Sequence, residues 1–80
     1  MSIKSAKKKL GQQVATIRKQ KGLTQENLAE LSGYSVEFIS LIERGINAPT
    51  IDGLEKLAQI LNCKVEILFQ EADSQDSSLS

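Results

Sequence analysis

Residues 28–45 read LAELSGYSVEFISLIERG, a helical pattern that breaks at Ser32, Gly33, Tyr34 and Ser35 and resumes at once. Gly33 can take the left-handed conformation that ends a helix, and Ser35 offers a side-chain oxygen that caps the next one. Tyr34 and Ile39 then stand one residue before the cap and four residues into the helix, the spacing of a hydrophobic staple. The break is a corner between two short helices, expected over residues 25–32 and 36–44. Whatever else the chain does, it must fold around that corner.

The flanking segments supply packing partners. From Lys7 to Lys21, Leu10, Val14 and Ile17 recur at i, i+4 and i+7, one apolar stripe of a helix that Gly22 stops. Thr24 caps the helix over 25–32, with Leu23 and Leu28 in staple positions. Gly45 is placed to end the helix over 36–44, INAP reads as a loop, and Thr50 caps a further helix. In that helix Ile51, Leu54, Leu57, Ala58 and Leu61 form a core stripe. CKVEILF fits two patterns: Cys63, Val65, Ile67 and Phe69 alternate as in a strand, whereas Val65, Leu68 and Phe69 suit one turn of helix, the reading favoured here. The acidic, serine-rich stretch at residues 70–80 reads as a disordered tail, leaving residues 1–69 as the folded domain.

Eighty residues make one domain, near the size at which a single core supplies only about 3–5 kcal/mol of net stability and oligomerisation is a common supplement. No apolar run approaches the ~20 residues that span a bilayer, and the basic start KSAKKKL is not followed by the apolar stretch of a signal peptide. A cytoplasmic location with no membrane partner is therefore expected. The single cysteine, Cys63, has no internal partner, and the absence of histidine removes Cys/His metal clusters, Cys/His nucleophile pairs and Ser/His triads. Neither an enzyme nor a cofactor is expected.

Net charge is zero, yet residues 1–21 hold Lys4, Lys7, Lys8, Lys9, Arg18, Lys19 and Lys21 with no acid, a charge of +7. The remaining residues hold three cations against all ten carboxylates, a charge of −7. A basic end can bind phosphates although the total is neutral; taken alone, a lysine run at an N-terminus is a solvated arm.

Two short helices joined by a tight, glycine-containing turn form a helix-turn-helix, in which the second helix enters the DNA major groove and the first crosses the backbone. Leu28, Ile39 and Ile42 anchor the pair to the core, Ala29 is small where the helices approach, and Gly33 permits the turn. RKQKGLTQENLAELSGYS followed by FISLIERG resembles the phage-repressor and Cro type of helix-turn-helix, the XRE family, over roughly residues 8–69. The resemblance implies an all-α, compact five-helix DNA-binding domain. It also implies a homodimer on a near-palindromic operator, regulating transcription most simply as a repressor that excludes polymerase.

Through the same resemblance, Gln25 opens the second helix as a phosphate contact, where the N-terminal amides favour the same anion. Arg18 and Glu43 match a structural ion pair that ties the first helix to the end of the third. With Ile39 and Ile42 inward, Ser35, Val36, Glu37, Ser40, Leu41 and Arg44 face outward as reading candidates. Arg44 suits a phosphate or guanine, Ser35 and Ser40 a phosphate or base edge, Glu37 a cytosine amino group, and Val36 and Leu41 thymine methyls. Phe38 stands where relatives carry an aromatic residue between the core and the sugar-phosphate edge, and Asn47 in the following loop completes the DNA-contact set.

The chain departs from the family pattern at three points. The loop after the third helix holds Ile46 and Asn47 where relatives carry Lys or Arg, Asn27 stands in place of a capping glutamate, and Leu41 in place of a basic residue. Non-specific affinity should be modest, with Lys7, Lys8, Lys9, Lys19 and Lys21 as compensating cations if the first helix turns them toward DNA. The small core, the apolar segment VEILF and the family habit of C-terminal pairing place the dimer interface at Val65, Ile67 and Phe69. Rival readings keep the unit but change its use: an antitoxin holding a toxin, a restriction–modification controller, or a protein-interaction module without DNA binding. The last is favoured by outward apolar residues at Val36 and Leu41.

Overall fold

The computed structural model describes residues 3–70. Five helices follow one another: α1 (Ile3–Gln20), α2 (Gln25–Ser32), α3 (Val36–Glu43), α4 (Ile51–Ile60) and α5 (Val65–Leu68). No strand occurs among the described residues, and the fold is all-α. The segment that fitted both strand and helix is a helical turn, with the Ile67 amide donating to the Lys64 carbonyl and the Phe69 amide to that of Glu66. α1 begins ahead of Lys7, so Lys7, Lys8 and Lys9 belong to a continuous helix and not to a loose arm. The serine-rich tail from residue 71 onward lies outside the described residues.

The corner between α2 and α3 is built from its own residues. Gly33 caps α2 at φ 82°, in the left-handed region, and its amide donates to the Ala29 carbonyl. Ser35 caps α3 by accepting from the Phe38 amide, as Thr50 caps α4 by accepting from Gly53. At Thr24 the capping box is complete despite the missing glutamate. Asn27 Oδ1 accepts from the Thr24 amide at 3.0 Å while Thr24 Oγ1 accepts from the Asn27 amide at 2.9 Å, so the shorter amide side chain makes the same reciprocal bonds.

Leu10, Val14 and Ile17 of α1, Leu28 and Ala29 of α2, Ile39 and Ile42 of α3, Leu57, Ala58 and Leu61 at α4 and its cap, and Leu68 of α5 form one buried core. Leu54 packs partly against it, but Ile51 is 74% exposed. The helical period assigns Ile51 to the core stripe; as the first residue of α4 it precedes the turn at which that helix meets the core. Phe69 is likewise exposed, while Leu68 beside it is buried.

α1 crosses α3 at Gly11, a position that no periodicity marks. A Cβ there would strike the carbonyl oxygen of Ile42 and stand 2.7 Å from that of Glu43, so the α1 backbone lies directly on the last carbonyls of α3. Two turns further on, Arg18 joins the same helices by charge. Its Nε donates to Glu43 Oε2 at 2.7 Å and its Nη2 to Oε1 at 3.1 Å, while Nη1 donates to the Leu23 carbonyl at 2.8 Å. The two side chains are only 10% and 7% exposed, so this is a desolvated, bidentate pair whose strength depends on its geometry.

Replacing Gly11 by Ala should destabilise the fold by about 1–3 kcal/mol through overpacking, outweighing the roughly 0.5–1 kcal/mol that Ala gains in a helix interior. Thermal unfolding would register this as a fall of about 4–8 °C per kcal/mol; an unchanged melting temperature would mean that α1 and α3 are free to separate at this crossing. Glu43→Ala strands the buried Arg18 charge and should cost about 3–5 kcal/mol, whereas pairing it with Arg18→Met should recover much of that loss. Denaturant titration of the single and double variants checks this, and a single variant as stable as the parent chain would remove the pair from the folding energetics.

Candidate nucleic-acid interface

The outer face of α3 lies opposite Ile39 and Ile42, which are both fully buried. Glu37, Ser40, Leu41 and Arg44 line one shallow recess on it, at the spacing of a single helical face. Glu37 and Arg44 are exposed, and Ser40 and Leu41 are half-buried. Leu41 is thus not the exposed apolar residue its position implies. Val36 is exposed at 40%, Ile46 after α3 at 47% and Leu31 of α2 at 59%, the last a residue that sequence reasoning did not single out.

Ser35 is exposed, and its Oγ already accepts from the Phe38 amide at 3.0 Å, leaving the hydroxyl hydrogen to donate. Phe38 is half-buried and packs on Tyr34, with ring centroids 4.9 Å apart and planes tilted by 59°. Behind the corner, Lys56 of α4 donates to the Ser32 carbonyl at 3.1 Å and stands 5.9 Å from the Tyr34 ring centre. It ties the C-terminal end of α2 to α4, a cation at the negative end of a helix dipole. Nothing local in the sequence marks that role.

Gln25 opens α2 half-buried, and its Nε2 donates to Glu43 Oε1 at 2.9 Å. One amide hydrogen is thereby committed to the ion pair, and the other remains for a ligand. At the far end of α3, Gly45 sits at φ 78°, its amide donating to Ile42 and the Ile46 amide to Leu41. Such a pair of bonds closes a helix in the Schellman manner. Asn47 is half-buried there, its own amide donating to the Leu41 carbonyl at 3.3 Å.

The basic residues of α1 divide between its ends. Lys8 lies against Gly45, and Lys7 Nζ reaches the Ile46 carbonyl at 3.5 Å. Lys19 lies at the other end and Lys21 just past it; burial raises the pKa of the Cys63 thiol, and the Lys21 cation lowers it by less. A thiol shifted upward stays protonated and is a poor nucleophile. Val65 and Ile67 are half-buried, and α5 is tethered to α1 by Gln13, whose Nε2 donates to the Ile67 carbonyl at 2.7 Å. Among the described residues no group of His, Cys, Asp and Glu could hold a metal ion, and no helix is long and apolar enough to cross a membrane.

Residues 14–68 match the helix-turn-helix family HTH_3. The chain is 44% identical over 55 residues to the HTH-type transcriptional regulator y4dJ of Sinorhizobium fredii, covering 69% of this chain and 71% of that protein. Against other curated relatives it spans less than two thirds of the relative's length, 59% for SinR of Bacillus licheniformis. Its fold superposes on the restriction-modification controller protein C.AhdI from Aeromonas hydrophila with a TM-score of 0.74 and 36% identity, over 79% of this chain and 96% of that one. It also superposes on SinR, the master regulator for biofilm formation, solved in complex with DNA, with a TM-score of 0.71 and 35% identity over 76% and 98% of the two chains. The chain belongs to the phage-repressor and Cro-type (XRE) helix-turn-helix family of DNA-binding transcriptional regulators.

Proposed function

We propose that this chain is a sequence-specific double-stranded DNA-binding protein that represses transcription as a homodimer on a near-palindromic operator. The observation that carries the reading is the outer face of α3, where Glu37, Ser40, Leu41 and Arg44 surround one recess. A helix with this mix of cation, hydroxyl, carboxylate and apolar groups suits the major groove, where each base pair presents a distinct pattern of donors, acceptors and methyl groups. Arg44 takes a guanine edge or a phosphate, Glu37 a cytosine amino group, Ser40 a base edge or phosphate, and Leu41 and Val36 thymine methyls. Ser35, Phe38 and Asn47 meet the sugar-phosphate edge. Gln25 offers its second amide hydrogen to a phosphate beside the N-terminus of α2, oriented by its bond to Glu43.

Residues 1–69 form the unit that acts, in the cytoplasm beside the DNA it regulates. Val65, Ile67 and the exposed Phe69 provide the dimer contact, and two readers then span half-sites about 34–36 Å apart, one turn of DNA. Occupancy rises with protein concentration through dimerisation. The likeness to C.AhdI favours a second reading with the same mechanism, a controller of a restriction–modification operon.

Selection of the full chain against a random duplex library tests the reading. Enrichment of a two-fold symmetric site is expected, and failure of the folded protein to enrich any sequence would overturn it. On the selected site Arg44→Ala should weaken binding by about 1–3 kcal/mol if Arg44 makes a bidentate base contact, or lower the salt dependence by about one charge if it binds phosphate. Unchanged affinity together with an unchanged salt slope would exclude Arg44 from the interface.

A further inference from the structure

We propose that the N-terminal half of α1 supplies the cation that the loop after α3 lacks, with Lys8 as a ligand for a DNA backbone phosphate at the edge of the groove that α3 enters. The inference rests on the DNA-binding reading above and adds a contact to it. α1 docks on the end of the reading helix: a Cβ built on Gly45 would stand 3.2 Å from the Lys8 α-carbon and 3.1 Å from its Cγ. Gly45 follows Arg44, the cap of α3, so Lys8 packs on the residue next to Arg44, which lines the recess. Lys7 fastens the same junction through its bond to the Ile46 carbonyl.

Lys8 and Arg44 are both exposed, and among the described residues neither side chain has a hydrogen-bond or ion-pair partner. The nearest acid along the chain, Glu43, has its carboxylate committed to Arg18 and Gln25. Glu37 lies two turns away at the start of α3. Two unpaired cations at the same end of α3, where Glu43 is already engaged, make a local positive field that attracts an anion. Ile46 and Asn47 contribute no charge of their own.

Helix stability does not account for the lysines. The N-terminal end of a helix favours acids, yet α1 has none in its first turn and Lys7, Lys8 and Lys9 follow directly. Packing on α3 also distinguishes Lys8 from a charge on a loose arm, because the ordered helix presents it without the entropy loss of immobilising a flexible segment. Lys8 precedes the matched residues 14–68.

The test titrates the full chain and its Lys8→Gln, Lys8→Arg and Lys64→Gln variants with the selected operator and with a scrambled duplex over a range of salt concentrations. Thermal unfolding first establishes that all fold alike. Lys8→Gln should weaken both duplexes by the same factor and reduce the slope of log affinity against log salt by about 0.9, the value of one phosphate. Lys8→Arg should keep the parent slope, and Lys64→Gln, at the exposed cap of α5, should change neither quantity. An unchanged slope in Lys8→Gln, with parent binding intact, overturns the Lys8 assignment and leaves the DNA-binding reading standing. A loss confined to the operator would make Lys8 a base contact and also overturn the proposal. A parent chain that binds no duplex overturns both.

Discussion

The guanidinium of Arg18 meets three segments of the chain at once. Two of its donors take the two carboxylate oxygens of Glu43 at the end of α3, a third takes the Leu23 carbonyl between α1 and α2, and Glu43 in turn receives the Gln25 amide at the start of α2. A buried pair of this kind adds little stability over a well-packed apolar replacement, since desolvation offsets most of the attraction. What it supplies is geometry. With both oxygens of Glu43 engaged, α3 cannot roll about its axis without breaking charged hydrogen bonds in a buried site. The same bonds hold Gln25 in place, so one network sets both the angle of α3 and the direction of a neighbouring donor.

Lys8, Gly11 and Arg18 fall at i, i+3 and i+10, within about 80° of one another around α1. They mark the side of α1 that meets α3, adjoining the apolar stripe of Leu10, Val14 and Ile17 that enters the core. The middle one is a glycine because the α3 carbonyls leave no space for a side chain. The C-terminal one is buried and paired, and the N-terminal one is exposed beside Gly45. α1 is therefore both scaffold and, on the reading proposed, part of the surface that meets DNA.

The features legible in the sequence are those written in adjacent residues. The corner at Gly33 and Ser35, the caps at Thr24 and Thr50 and the inward stripe of α1 depend on backbone geometry and helical period alone, and each can be read locally. Arg18 and Glu43, 25 positions apart, were paired only through the family resemblance. Gly11 carries no local signal because a close approach between helices is a property of two distant segments. Ile51 matched the period but not the burial, since period describes direction around a helix and says nothing about where along it the core begins. Leu41 failed differently: outward on α3, it is half-covered, as long apolar side chains on a recessed face tend to be. The lysines near the N-terminus read as an arm because a charge run carries no periodic signal of its own, and only the position of α1 against Gly45 and Ile46 gives them a place.

The balance of charge then bears on how such a protein would find its site. Counterion release rewards each neutralised phosphate irrespective of sequence, so a strongly basic domain would spend much of its time on random DNA. This chain is neutral overall, with +7 on residues 1–21 and −7 on the rest. A charge dipole of that form turns the basic end toward a polyanion during approach while limiting the non-specific attraction that holds it there. On the reading proposed, few phosphate contacts would leave the discrimination to base contacts from α3 and to a requirement for two half-sites. Under that division a single well-placed cation such as Lys8 weighs more than it would on a surface crowded with lysines, because it is a large fraction of the sequence-independent term.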